Sequence, residues 1–192
     1  MKYFRLQSVF EAGCSMTNER LLDIPMSCED RWPLDTGELV NDWNPGLFLV
    51  TSGDGRVVDF PCVAGSWHIM SERLRCLIDS VARSTIQFLP IRIRSITGQV
   101  ATEPFSAANY LHIVDALHRE CSQVMDDDWS FDEDTRCFSY LEKAVLSLEN
   151  IREKLIFRVF GQLEVVVFRE DVVSAIQHAG IIGCVFSELE IA

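Results

Sequence analysis

The sequence predicts an α+β fold with mixed sheets, built from two similar strand–helix–strand halves. Three observations carry this. First, a short apolar run, a polar capping segment, an amphipathic stretch and a second apolar run begin at His68 and recur from Val165. Second, short apolar runs elsewhere alternate with turn residues such as Ser52-Gly53-Asp54-Gly55 and Gly161, as strands in a sheet protein do. Third, 192 residues with 48% apolar content and 12 Phe suffice for a buried core and argue against disorder. No Pro-, Gly- or Ser-rich linker divides the chain. Residues 1–192 are therefore expected to form a single domain, with two pseudo-repeated lobes, about 1–105 and 106–192, as its finer division.

Residues 2–10 alternate with Tyr3, Phe4, Leu6 and Val9 available for burial, which predicts an opening strand. From 11 to 46 the pattern is irregular, punctuated by Pro25, Pro33, Gly37, Pro45 and Gly46, with Trp32 and Trp43 expected to pin the segment to the core. Residues 47–50 read as a strand and 57–60 as a second strand or extended segment. Ser71 is the predicted N-cap of a helix carrying Leu74, Leu77, Ile78 and Val81 on one face. A strand follows over 88–96, and Pro90 within it points to a sheet edge, because proline cannot donate to a ladder. A loop spans 98–104, and 110–117 is another apolar run. Residues 140–148 fit either a strand pair or a short helix. Strands are expected over 155–159 and 163–168, then a helix that Gly180 ends as its C′ residue, then a closing strand.

Net charge is −12, with a pI near 4.7, which excludes the basic footprint that nucleic-acid binding needs. The same charge keeps a protein soluble and would steer a basic protein partner. No apolar run approaches the roughly 20 residues of a membrane helix, and Met1–Gln7 lacks the long apolar stretch of a secretory signal. The seven cysteines form no CxxC pair, and Cys76 and Cys184 fall in apolar patterns where a thiol acts as a small hydrophobe. A reduced, cytoplasmic setting is the expectation.

Catalytic signatures fail one by one. A zinc deaminase needs HxE upstream of PCxxC. Here His118-Arg119-Glu120 follows Pro61-Cys62, and Gly65 stands where the second Cys should be. No HExxH occurs, Gly53-Asp54-Gly55 does not open a helix, and no phosphate-binding loop precedes a Lys. Neither a metal nor another cofactor is expected. Cys121 near His118 is the one local nucleophile–base pair, and spacing alone makes it a pair of turn neighbours. The segment Asp126, Asp127, Asp128, Trp129, Ser130, Phe131, Asp132, Glu133, Asp134 places six carboxylates around two aromatics, without the glycine and terminal Glu of a calcium loop. It is either a solvated loop anchored by its rings, or a negatively charged contact surface with Trp129 or Phe131 as the residue inserted into a cationic partner.

The helix start Met70-Ser71-Glu72-Arg73-Leu74 and the strand Gln87-Phe88-Leu89-Pro90-Ile91 resemble a family of bacterial polymorphic-toxin immunity proteins, long described only as a domain of unknown function. The likeness continues through Tyr110–Leu117 and Ser122, Glu170-Asp171, and the closing Gly180-Ile181-Ile182-Gly183-Cys184-Val185-Phe186, and Met1–Leu6 also resembles the family's start. It is best over 57–187, with 11–46 poorly matched. The resemblance implies a single-domain cytosolic protein that binds and neutralises a cognate toxin in competition between bacteria. It carries over neither a catalytic residue nor the toxin's chemistry. An acidic binder suits the basic cleft of a nuclease, so a nuclease toxin is the expected target. Two further readings stay open: a hydrolase using Cys121 and His118, and a structural or oligomer-forming module. Homodimerisation is left undecided by the sequence.

Overall fold

A computed structural model describes residues 1–8, 16–17, 34, 36–43, 45–46, 48–51, 58–61, 67–83, 85–95, 98–125, 129–132 and 137–192. In chain order the first half carries β1 (Tyr3–Ser8), β2 (Met16–Thr17), β3 (Phe48–Thr51), β4 (His68–Ser71), α1 (Glu72–Val81), β5 (Ile86–Ser95) and β6 (Phe105–Tyr110). The second carries β7 (Ile113–Val114), β8 (Gln123–Val124), β9 (Leu141–Lys143), β10 (Val145–Leu146), α2 (Leu148–Ile151), β11 (Ile156–Val159), β12 (Gln162–Arg169), α3 (Glu170–His178), β13 (Cys184–Glu188) and β14 (Glu190–Ile191). The α+β class with several mixed sheets is what the sequence predicts. The ambiguous stretch 140–148 resolves into both of its alternatives, two short strands and the start of a helix. Trp32, the turn at 52–55 and three of the cysteines (Cys14, Cys28, Cys62) lie outside the described residues.

Two five-stranded sheets organise the chain, in the orders β2-β3-β5-β6-β4 and β13-β1-β12-β11-β7. Each contains the same arrangement. In the first, β4 and β5 flank β6 and both run antiparallel to it, with α1 connecting them. In the second, β12 and β13 flank β1, again both antiparallel to it, with α3 connecting them. Each recurring sequence pattern is therefore a split strand–helix–strand unit whose middle strand comes from elsewhere in the chain. The middle strand of the second unit is β1, so that unit closes only when β1 meets β12 and β13.

The two helices lie against each other. A single apolar core unites Leu74 and Ile78 of α1 and Val172, Val173 and Ile176 of α3 with Met70, Ala108 and Tyr110 of one sheet and Leu6, Val166 and Phe168 of the other. Their alternating strand neighbours face outward into two further cores. Ile69, Leu89, Ile91 and Ala107 pack with Leu34, Trp43 and Trp67 behind the first sheet. Tyr3, Val165 and Val167 pack with Leu117, Leu146 and Ile151 behind the second. Burial on both faces explains why residues 165–168 of β12 read as an unbroken apolar run.

Three expectations need correcting. Pro90 lies in β5, the central strand of the first sheet, opposite Ser106 of β6. Its ring is tolerated because β3 pairs with β5 only from Arg92 onward. At Pro90 that side of the strand carries no ladder, and the Pro90 carbonyl instead accepts the Trp43 indole N–H at 2.7 Å. Val81 is exposed, and Ala82 takes the place in the core that the helical spacing assigns to it. Cys76 is also exposed, on the outer face of α1, with its thiol 3.4 Å from a Glu72 carboxylate oxygen. Cys184 does behave as the expected small hydrophobe, packed against the inter-helix core.

Candidate functional site

The residues that carry the family-like motifs meet in space, and they form a joint. Ser71 is extended, at φ −63° and ψ 159°, and its hydroxyl accepts the Leu74 N–H at 3.2 Å, which makes it the predicted N-cap of α1. That hydroxyl also donates to the buried Asp59 carboxylate at 2.7 Å, while the Ser71 N–H donates to the Asp59 carbonyl at 2.8 Å. The second Asp59 carboxylate oxygen accepts the Ile182 N–H at 3.0 Å and the Arg73 guanidinium at 3.5 Å. Arg73 reaches on to the Ala179 and Gly180 carbonyls, which end α3. A cation there satisfies carbonyls that have no intrahelical donor. Gly180 takes φ +63°, as a C′ glycine should. Gly183 takes φ +101°, and a Cβ there would stand 2.4 Å from the Phe60 carbonyl oxygen, so that the close passage of 58–61 past this loop requires glycine. Ser71, Arg73, Gly180 and Gly183 thus tie one split unit to the other.

A second polar point joins the sheets. The buried Arg158 of β11 donates to the Leu34 carbonyl at 3.0 Å, and its guanidinium lies 5.2 Å from the centre of the Tyr110 ring. The Tyr110 hydroxyl lies 2.7 Å from His68 Nδ1. The His68 ring sits between Phe60 and Tyr110, edge to face with both, although part of the residue still meets solvent. Desolvation, with smaller contributions from the Arg158 and Arg5 cations, pushes the His68 pKa down to about 3. Burial likewise holds the Tyr110 phenol protonated above its usual range.

The acidic segment leaves β8 and returns at β9, and its base is closed by the Met125 N–H donating to the Tyr140 carbonyl at 2.8 Å. Asp126, Asp127, Asp128, Glu133 and Asp134 lie outside the described residues. Asp132 is exposed and its N–H donates to the Cys137 carbonyl at 3.0 Å. Trp129 and Phe131 are half-buried and turn onto the protein's own aromatics. Phe131 stacks on Phe160 at 5.0 Å between centroids, with an 11° interplanar angle, and meets Phe138 edge-on at 5.5 Å. Trp129 meets Phe138 at 5.5 Å, and the Arg119 guanidinium lies 5.8 Å from the Trp129 ring and 5.2 Å from that of Phe138. Gly161, at φ +72°, makes this platform feasible, because a Cβ there would lie 2.2 Å from the Phe138 ring. The side chains left outward at the base are Tyr140, 70% exposed, and Met125, 48% exposed.

The sequence named Trp129 and Phe131 but not their supports Phe138, Phe160, Gly161 and Arg119. Arg119 and Phe138 flank the segment in sequence, whereas Phe160 and Gly161 reach it from the turn between β11 and β12, where the Phe138 N–H donates to the Gly161 carbonyl at 2.8 Å. Phe138 is buried and Tyr140 exposed although they stand two residues apart, so no period-2 pattern marks Phe138 as a support.

Cys121 and His118 are turn neighbours: the N–H groups of Cys121 and Ser122 donate to the His118 carbonyl at 3.0 and 2.9 Å. No hydrogen bond joins the exposed Cys121 thiol to the imidazole, and His118 Nδ1 is buried without a partner. Ser122 is structural, its hydroxyl exchanging two 3.0 Å hydrogen bonds with the Val145 backbone. Among the described residues no three His, Cys, Asp or Glu side chains gather as metal ligands, and no helix is long and apolar enough to cross a membrane.

A search of curated proteins finds no match to the chain. The model of one family does match, described as an immunity protein family (Imm11), and the match runs over residues 13–190. It therefore reaches back through the irregular stretch at 13–46, which the motif-level resemblance leaves poorly matched. With nearly the whole sequence inside the match, the chain belongs to the Imm11 immunity protein family.

Proposed function

We propose that the protein neutralises a cognate polymorphic toxin by binding it stoichiometrically in the cytoplasm of the producing cell, and that it transforms no substrate itself. Membership of an immunity family implies a toxin partner in general terms. The observation that supports binding at the acidic segment is the seating of two residues within it: Trp129 packs on Phe138 and Phe131 on Phe160. A surface held in place before association loses less conformational freedom on binding. The net charge of −12 favours a basic partner through steering, and a nuclease with a cationic cleft is the preferred target class.

Co-expression with the toxin encoded in the neighbouring reading frame tests the proposal. Growth should be restored and the two chains should co-purify at a fixed ratio; a chain that neither protects nor co-purifies sinks it. Separate replacement of Cys121 and His118 with Ala should leave protection intact, whereas loss of protection with retained binding would favour a hydrolase.

A further inference from the structure

We propose that Met125 and Tyr140 form the apolar anchor of the toxin-docking surface, engaging an apolar pocket on a cationic protein face, while Trp129 and Phe131 support that surface from within. This rests on the immunity reading above and gives it a location.

Among the described residues, the large apolar side chains left exposed are Met1, Leu39, Val81, Val100, Met125, Tyr140, Ile182 and Val185. Single exposed apolar side chains are ordinary on any surface and call for no partner. Met125 and Tyr140 differ because the 2.8 Å backbone hydrogen bond makes them cross-strand neighbours at the end of the β8–β9 pair. Tyr140 is the most exposed of the set at 70%. Tyrosine offers a large amphipathic contact with few rotatable bonds, and methionine adapts to irregular pockets, which is the chemistry of interface anchors.

Charge selects the kind of partner. Six carboxylates and no cation occupy 126–134, the stretch that begins immediately after Met125. Asp132, Glu120 and Glu142 on the described flanks are exposed as well. Two described cations on the flanks are engaged internally. Arg119 lies over Trp129 and Phe138 and pairs with Asp115 at 3.8 Å, and Lys143 pairs with Glu190 at 2.8 Å. A tyrosine–methionine pair on an acidic chain, flanked by the exposed Glu120 and Glu142, fits a basic surface with an apolar depression. A second copy of this chain, itself at −12, would meet the patch with like charge. The half-buried Trp129 and Phe131 cannot be inserted into a partner without dismantling the stack on Phe160 and Phe138.

The test titrates the purified full-length chain against the C-terminal domain of the polypeptide encoded in the neighbouring reading frame. Tyr140→Ala and Met125→Ala should each weaken binding at least about tenfold. Affinity should fall as salt rises, and Leu39→Ala, 62% exposed and next to Val40 of the core behind the other sheet, should bind as the parent does. Thermal midpoints of all three should match the parent, since each truncation removes an exposed side chain. Tight parental binding that neither Tyr140→Ala nor Met125→Ala disturbs overturns the proposed surface and leaves the immunity reading standing. Failure of the parent chain to bind overturns both. A self-association lost in Tyr140→Ala with toxin affinity unchanged would reassign the patch to contacts between copies, and overturn it too.

Discussion

Arg73, in the first turn of α1, donates to the carbonyl of Gly180 at 3.3 Å, so the helix of one split unit caps the helix of the other. Asp59 holds that arginine from the opposite side and accepts from Ser71 and Ile182 as well. Asp59→Ala would leave the buried Ser71 hydroxyl and the part-buried Ile182 N–H without their acceptor. It should cost about 2–3 kcal/mol of stability, read as a lower urea midpoint at unchanged slope. Arg73 is half-exposed, so Arg73→Ala should cost less, below about 1 kcal/mol. Equal losses for the two would show that Asp59 is not the centre of the joint.

His68 links acidity to folding. Its pKa is about 3 in the folded chain and 6.5 in the unfolded one. Between those values the unfolded chain binds the extra proton, so stability falls as pH drops from 6.5 toward 3, by up to about 1.4 kcal/mol per pH unit. Above 6.5 the residue contributes no pH dependence. His68→Gln can keep a hydrogen bond to Tyr110 and should flatten this slope relative to the parent in urea melts at pH 7, 6, 5 and 4. Parallel slopes would show that the imidazole is reached by protons in the folded state.

The aromatic platform depends on a missing side chain. Gly161→Ala should destabilise by about 1–3 kcal/mol, because the left-handed backbone and the displaced Phe138 ring both work against it. Near-ultraviolet circular dichroism should lose aromatic signal while the far-ultraviolet spectrum holds. An unchanged near-ultraviolet spectrum would mean that the stack tolerates the methyl group.

Thiol reactivity should divide the described cysteines. Burial first, then the Asp59 carboxylate, pushes the Cys184 pKa up to about 12. Cys76 and Cys121 are exposed. Iodoacetamide at pH 8 should label those two first and Cys184 last, as followed by peptide mass spectrometry. Early labelling of Cys184 would reveal opening between β13 and the helix layer.

Much of this fold is legible in single residues. Ser71 and Gly180 announce the ends of α1 and α3 because capping chemistry is local, and residues 165–168 announce β12 because a strand segment buried on both faces is continuously apolar. Strand β6 escapes the same reading. Its sequence, Phe-Ser-Ala-Ala-Asn-Tyr, has weak strand propensity, yet every residue in it is buried between β4 and β5, and Asn109 is retained by donating to Gln87 at 2.9 Å and to the Glu38 carbonyl at 2.7 Å. Small residues serve where α1 presses on the strand, a tertiary demand with no local trace. Of the candidate contact surface, the carboxylates were legible as composition. The inward turn of Trp129 and Phe131 was not, since it depends on Phe160 and Gly161.

The insertion of β1 between β12 and β13 has a consequence for assembly. Until the last strands are available, Tyr3, Phe4 and Leu6 have no neighbours to zip with on either side, and β12 and β13 cannot bond to each other across the gap. Such a long-range closure is slow to find. Fragments cut between 105 and 106 would inherit a sheet lacking its keystone strand on one side and a homeless ribbon on the other. The protective activity of this chain should therefore survive neither splitting nor loss of its first eight residues, and should arise late in its maturation.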